Sequence, residues 1–364
     1  MAQRRHLIHL VPSNRWGSLQ RYACDICRHF LNNGWHVTAV TRDARVVDER
    51  FRREGITLRH APLRGLIDPT SVLRLARLFR EIPDREGVIH VHRYRDAFTA
   101  LVAKRIAKRP DLTIICTQHT VEPAHDSRLL RLIYNKIDAH IFVSHAAHRE
   151  FFSTWEGTGR CPIPERRVHF IPNSINRDFP SPPPAPEKGP VIAICHGPVV
   201  SGKGIETVID ALSFLKDIKM RLRIAGPGNP DYLDTLRRRA MKLGVMDLID
   251  WKIAPDMDSR LIYESHFAIH PSITKEGFGM PNLHTMACGR PQICTTSGAQ
   301  PEYLEDDKTA IFVPAADPEK MADAMRKLIG NPDLRAEIGK NAYETYTARL
   351  SWPVFIRELE KLYV

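Results

Sequence analysis

No run in this chain approaches the roughly 18 consecutive apolar residues of a membrane span, and the opening MAQRRHLIHLVPS has too short an apolar segment for a signal peptide. A cytoplasmic chain is the expectation. The seven cysteines are odd in number and lack the two close pairs of a zinc site. Cys24 and Cys27 have a redox-like spacing but fall on the inward face of a helical pattern, where core packing explains them. Helix-turn-helix, zinc-finger and aromatic RNP patterns are missing, so the net charge of +11, from 53 basic and 42 acidic residues, does not indicate nucleic acid. No carboxylate pair stands out as nucleophile and acid, and no metal site is expected.

What the chain does have is length for two cores and an alternation of short β-rich runs with helical periodicity, which reads as parallel sheets with crossover helices. The first-half strands are HLIHLV, HVTAVTR, ITLRHAP, GVIHVH, TIICTQH, AHIFVS and VHFIPN. Between the first two, Leu19, Tyr22, Ala23, Ile26, Cys27 and Phe30 share one helix face, closed by Gly34. From Asp178 to Pro190 the run DFPSPPPAPEKGP carries six prolines, which preclude helix and sheet pairing alike. Beyond this linker the alternation restarts with VIAICHG, RLRIAG, LIDWKI, FAIHPS, QICTTS and TAIFVP. The expected division is a first doubly wound domain at 1–178, a linker at 179–190, a second at 191–347 and a final helix at 348–364, where Trp352, Phe355, Ile356, Leu359 and Leu362 have helical spacing. Basic residues are spread along the chain. In SVLRLARLFREIP, Arg74, Arg77 and Arg80 alternate with apolar residues, which makes a solvated surface helix or, alternatively, a basic face for phospholipid headgroups.

The densest signal lies between Pro271 and Pro291, PSITKEGFGMPNLHTMACGRP. Glu276 closes a loop after an apolar strand, Gly277 and Gly279 let backbone N–H groups approach a ligand on either side of Phe278, and after Met280 the residue Pro281 suits the first turn of a helix. Such a helix start favours an anion. Upstream, Gly197-x4-Gly202-Lys203 follows a strand and precedes a helix, fitting a P-loop in all but its last position, where Gly204 replaces the hydroxyl that holds Mg²⁺. A phosphotransferase is therefore one open reading. His119 in TQHTVEP stands just past a strand end, as do His92 and Ser144.

Together these segments resemble the retaining glycosyltransferases of family 4, which have the GT-B fold. Glu276 matches the first acid of their Glu-x7-Glu signature, with His284 at the second position; Lys203-Gly204 matches their K-G, with Pro198 where an Arg is usual. Gly17 matches the first glycine of their glycine-rich turn and Ser18 replaces the second, His119 matches their T-x-H, Asn173 their P-N-G, and Gly298 with Glu302 their closing motif. The resemblance spans nearly the whole chain and implies an α/β GT-B fold: two Rossmann-like doubly wound domains facing a central cleft, with the C-terminal helix crossing back to the first. It implies metal-independent, same-face transfer from a nucleotide-sugar donor, with no other cofactor, to a glycan or lipid-linked acceptor in cell-surface polysaccharide or glycolipid synthesis. Lys203 and helix starts would stabilise the leaving diphosphate, Glu276 would orient the sugar and His119 would contact its outer hydroxyls. Gly17, Ser18, Gly277, Phe278, Gly279, Met280 and His284 would complete the donor site. The acceptor would enter over the basic first domain, which could also touch the inner face of a membrane peripherally. Because Pro198 and His284 each remove a charge from the pattern, a binding or assembly subunit with a degenerate donor site is the alternative.

Overall fold

Strands covered by helices on both faces are buried along their length, as His6–Val11, Gly87–Val91 and Ala139–Phe142 are, whereas Thr57–His60 and Val168–Phe170 are partly exposed. The computed structural model describes residues 5–66, 68–82, 86–176, 182–184, 186, 189–254 and 258–363. Seven strands, β1 (His6–Val11), β2 (His36–Thr41), β3 (Thr57–His60), β4 (Gly87–Val91), β5 (Leu112–Gln118), β6 (Ala139–Phe142) and β7 (Val168–Phe170), form one parallel sheet in the order β3-β2-β1-β4-β5-β6-β7. Its helices are α1 (Ser18–Asn32), α2 (Arg45–Arg53), α3 (Pro69–Glu81), α4 (Tyr94–Ala107), α5 (Arg128–Lys136) and α6 (His145–Ser153). α1 buries Tyr22, Ala23, Cys24, Ile26, Cys27 and Phe30, whereas Leu19 is only half-buried and Gln20 turns inward, so the stripe is rotated slightly from the expected one.

A second parallel sheet repeats the plan. β8 (Val191–His196), β9 (Met220–Gly226), β10 (Ile249–Ile253), β11 (Phe267–His270), β12 (Gln292–Thr295) and β13 (Ile311–Val313) lie in the order β10-β9-β8-β11-β12-β13. α7 (Ile205–Leu212), α8 (Pro230–Leu243), α9 (Arg260–Tyr263), α10 (Met280–Ala287), α11 (Pro318–Gly330) and α12 (Pro332–Thr345) accompany it, and α13 (Trp352–Tyr363) ends the chain. Every strand expected from the sequence is present. Several stop short of their apolar run because the last residues, among them Arg42, His92, His119 and Ser144, turn into the following loop.

In each sheet the strand order reverses beside the first strand, between β1 and β4 and between β8 and β11, and ligands of such sheets bind at the carboxyl ends flanking that point. The chain divides into two compact units, Met1–Pro172 with Arg357–Val364, and Asn173–Ile356. Part of the expected linker, residues 179–181, 185, 187 and 188, lies outside the described residues. Of the rest, Pro183 and Pro184 accept hydrogen bonds from the Arg290 guanidinium at 2.9 and 3.4 Å, and Pro186 accepts one from His266 Nε2 at 2.9 Å. The last turns of α13 belong to the first unit: Tyr363 Oη lies 2.5 Å from His90 Nδ1, and its ring stacks on Phe30 with centroids 4.8 Å apart.

Candidate active site

After β8 the chain turns through Gly197–Gly204 into α7, and after β11 it turns through Pro271–Gly279 into α10. Because β8 and β11 are paired neighbours, the two turns meet: the N–H groups of Ile273 and Thr274 donate to the Gly202 carbonyl at 2.9 and 3.1 Å. Lys203 from one turn and Glu276 from the other are thereby joined, Lys203 Nζ donating to Glu276 Oε1, which also accepts from Ser272 Oγ at 2.7 Å. The Glu276 backbone is fixed as well, its N–H donating to Ser297 O at 2.7 Å and its carbonyl accepting from Ala299 N at 3.2 Å. This close pairing needs glycine at 298, where a Cβ would stand 2.3 Å from the Glu276 carbonyl oxygen.

α7 and α10 both begin at a left-handed glycine, Gly204 (φ +70°) and Gly279 (φ +88°), and neither start is capped by a side chain. Two helix N-termini with first-turn N–H groups thus flank Lys203 and Glu276. The P-loop reading is excluded here: a Cβ at Gly204 would lie 1.9 Å from the Pro271 carbonyl oxygen, so no Ser or Thr hydroxyl can occupy the magnesium position. A cavity of about 30 Å³ between the turns is lined by Cys195, Pro198, Lys203, Glu276, Asn282 and Gln300 among others, and among the described residues no arginine is in its wall.

Behind the cavity, Thr285 of α10 accepts from His196 Nε2 at 2.9 Å and from His270 Nε2 at 3.0 Å, and its hydroxyl donates to Pro281 O at 3.2 Å, which fixes the start of α10 against the ends of β8 and β11. Burial pushes His196 down to about 3 and His270 well below its ordinary value, so both stay neutral. Of the other expected residues, Phe278 is buried, with its ring stacked on Tyr303 at 4.8 Å and its carbonyl accepting from the Tyr303 hydroxyl; its side chain holds the loop from behind. Gly277, Met280 and His284 are half-buried, and the His284 ring is 6.5 Å from that of His196.

In the first unit, Gly17 precedes α1 in an extended conformation and Ser18 is the first residue of that helix. Ser144 caps α6, its Oγ accepting from Ala147 N at 3.0 Å, and Asn173, which begins the second unit, is buried with an unpartnered Oδ1. His119 ends a histidine ladder: its Nε2 is 3.1 Å from His92 Nδ1, and His92 Nε2 is 3.3 Å from His9 Nδ1. His9 Nε2 is buried with no partner. An unfilled acceptor costs less there than an orphaned N–H, so the proton belongs on His9 Nδ1, then on His92 Nδ1 and finally on His119 Nδ1. Burial pushes His9 down to about 3 and His119 to about 4, and His92 with its neighbour His90 well below the usual range.

A family profile described as Glycosyltransferase Family 4 matches residues 19–179, and one described as Glycosyl transferases group 1 continues over residues 176–345. The chain belongs to glycosyltransferase family 4. This glycosyltransferase is 25% identical to a GDP-mannose-dependent alpha-(1-6)-phosphatidylinositol monomannoside mannosyltransferase of Mycobacterium tuberculosis, over 95% of this chain and 94% of the relative. Its fold is similar to that of a glycosyltransferase from Rickettsia africae (TM-score 0.82, 19% identity, 99% and 98% of the two chains). Anabaena HepE in complex with UDP-glucose is also similar (TM-score 0.80, 17% identity, 98% and 99%). With two parallel Rossmann-like sheets, these similarities establish the GT-B fold. No helix among the described residues is long and apolar enough to cross a membrane.

Sequence reasoning about the glycosyltransferase missed Ser272, the Thr285 clasp and the His9–His92 half of the ladder. Ser272 could have been found as a hydroxyl two residues past a strand end; the other contacts join separate strands and helices and have no local signal.

Proposed function

We propose that this glycosyltransferase moves a sugar from a nucleotide-sugar donor, with retention at the anomeric carbon and without a metal ion, to a glycan or lipid-linked acceptor in cell-surface polysaccharide or glycolipid synthesis. The observation that carries the reading is the Lys203–Glu276 pair set between two uncapped helix starts. A donor diphosphate would take Lys203 as its counter-ion and the helix N–H groups as donors, which stabilises the negative charge that grows on the leaving group. Glu276, released from Lys203 but still held by Ser272, would then accept from sugar hydroxyls. His119 joins the reading through its motif and the Nδ1–H that its ladder presents. UDP-glucose in the Anabaena structure supports a nucleotide-sugar donor, and the mycobacterial relative's phosphatidylinositol monomannoside supports a lipid-linked acceptor. Membrane contact, if the acceptor is a lipid, would run through α3, where Leu73 is 63% exposed beside Arg74 and Arg77.

The test is thermal stabilisation by a panel of nucleoside diphosphates and nucleotide sugars, with and without Mg²⁺. One nucleotide sugar should stabilise the wild type without metal, and Glu276→Ala and Lys203→Ala should each weaken its binding by about 1.5–3 kcal/mol. No response to any donor would favour the degenerate-site reading, which Pro198 and the lack of arginine among the described residues of the cavity wall support.

A further inference from the structure

At the carboxyl ends of β2 and β3 the first unit holds another cavity, of about 280 Å³, whose lining includes Asn14, Arg42, Asp43, His60, Arg64 and Arg74. Arg42 and Asp43 follow β2, His60 ends β3, Arg64 lies in the next loop and Arg74 is on α3. Three guanidinium groups thus share one space with a single carboxylate in its wall. Among the described residues none of the three forms an ion pair. Arg42 Nη2 donates to the Leu63 carbonyl, Arg74 Nη1 donates to the His60 carbonyl at 3.2 Å, and Arg42 Nε is shielded from solvent with no partner. Other arginines of the same unit are paired, Arg93 with Asp96, Arg109 with Asp111 and Arg131 with Asp126. Asp68 lies within electrostatic reach of Arg64 and Asp96 within reach of Arg42, but neither is in the cavity wall and Asp96 is already held by Arg93, so the positive charge facing the cavity is only partly offset and favours an anion there.

The wall is also built rather than loose. Asp43 (φ +62°) and Leu63 (φ +46°) are both non-glycine residues in the left-handed region, a conformation kept only where the surroundings impose it. Leu63 N donates to Ser71 Oγ at 2.8 Å and Arg64 N to Asp68 Oδ2 at 3.0 Å, so the loop that carries Arg64 is tied to the start of α3. Asp43, Asp48 and His60 could bring ligand atoms within 4.8 Å of one another, which raises the opposite reading of a cation site. Asp48, however, already accepts from Thr41 Oγ1 at 2.6 Å and His60 Nε2 at 2.9 Å and pairs with Arg52 at 3.5 Å. A cation there would also face three unpaired guanidinium groups.

We propose that this cavity binds a phosphate ester, gripped by Arg64 and Arg74 with Arg42 behind them, and that the ester belongs to the acceptor. Guanidinium forks match phosphate oxygens in geometry and charge. The identity of the bearer rests on the glycosyltransfer reading above; the phosphate site itself does not.

Titration calorimetry of the full chain with glycerol 3-phosphate tests the site, with GDP and UDP as separate ligands. Saturable binding to the wild type is expected, weakened about tenfold or more in Arg64→Ala/Arg74→Ala and partly retained in Arg64→Lys/Arg74→Lys. Nucleoside diphosphate should neither compete with the probe nor bind differently to the variants. Absence of saturable binding, equal binding by wild type and the alanine variant, or competition by nucleoside diphosphate would each overturn the proposal. Binding of glycerol 3-phosphate with no nucleotide binding at all would leave the cavity standing and count against the donor site instead. Co-sedimentation with phosphatidylinositol-containing vesicles, compared with phosphatidylcholine alone, then names the bearer: loss in Arg64→Ala, which leaves the α3 face intact, identifies a lipid headgroup, and binding of the soluble probe alone identifies a soluble acceptor.

Discussion

A Cβ on Gly204 would stand 1.9 Å from the Pro271 carbonyl oxygen, and the residue's φ of +70° is strained for any L side chain. Gly204→Ala must therefore push the two turns of the donor site apart. Urea unfolding should show a loss of at least about 3 kcal/mol, and donor binding should fail in the same variant because Lys203 and Glu276, carried on the two separated turns, would no longer reach the same ligand. Lys203→Ala is expected to behave differently. Its ion pair is partly exposed, so removing it should change stability by no more than about 1 kcal/mol while still weakening donor binding. The contrast separates a residue needed for the shape of the site from one needed for its charge. Pro198 illustrates a third case: it lines the cavity beside Lys203, and among the described residues no arginine adds a second cation to that wall.

The end of α13 is secured to the first unit by contacts of unequal value, among them a hydrogen bond of Tyr363 and an ion pair of Glu360. Tyr363 is buried, and its hydroxyl meets His90 Nδ1, while His90 Nε2 is held by Thr117 Oγ1 at 2.7 Å. One turn earlier, Glu360 pairs with His29 at 3.2 Å near the surface. Tyr363→Phe keeps the ring stacked on Phe30 but leaves a buried imidazole nitrogen without its partner, for an expected loss of about 1–3 kcal/mol. Glu360→Gln should cost less than about 1 kcal/mol. Denaturant midpoints of the two variants check the difference, and equal midpoints would mean that the buried hydrogen bond does not hold this helix. The tail's apolar spacing showed that it was a helix with one inward face; the Tyr363 hydroxyl's partner lies 273 positions away and could not be seen from that spacing.

Across the molecule, six buried histidines, His9, His90, His92 and His140 in the first unit and His196 and His270 in the second, and the half-buried His119 are held neutral. Their folded values lie below the ordinary 6.5, so below that pH the unfolded chain takes protons that the fold refuses. Stability should be full above about pH 6.5 and fall as the pH drops toward the depressed values, about 3 for His9 and about 4 for His119 and His140. Each excluded proton costs about 1.4 kcal/mol at pH 5.5, which amounts to a loss of several kcal/mol overall. Hydrogen exchange at pH 7.5 and 5.5 should show the amides of β1, β4 and β5 losing protection more than those of β8 and β11; equal loss would argue against the histidine ladder as the acid-sensitive element. The sequence by itself determined the thirteen strands, the helices α1, α3, α7, α10 and α13 and the candidacy of Lys203, Glu276 and His119, because alternation, helical spacing and turn residues are local signals that survive in one dimension. Only the tertiary structure decided that β8 lies beside β11, so that Lys203 meets Glu276 across 73 positions, that His9 and His92 stand behind His119, and that three arginines from separate elements share one cavity. Strand order is set by pairing between distant segments and by how their side chains fill the space between layers, and neither leaves a periodic trace in the chain.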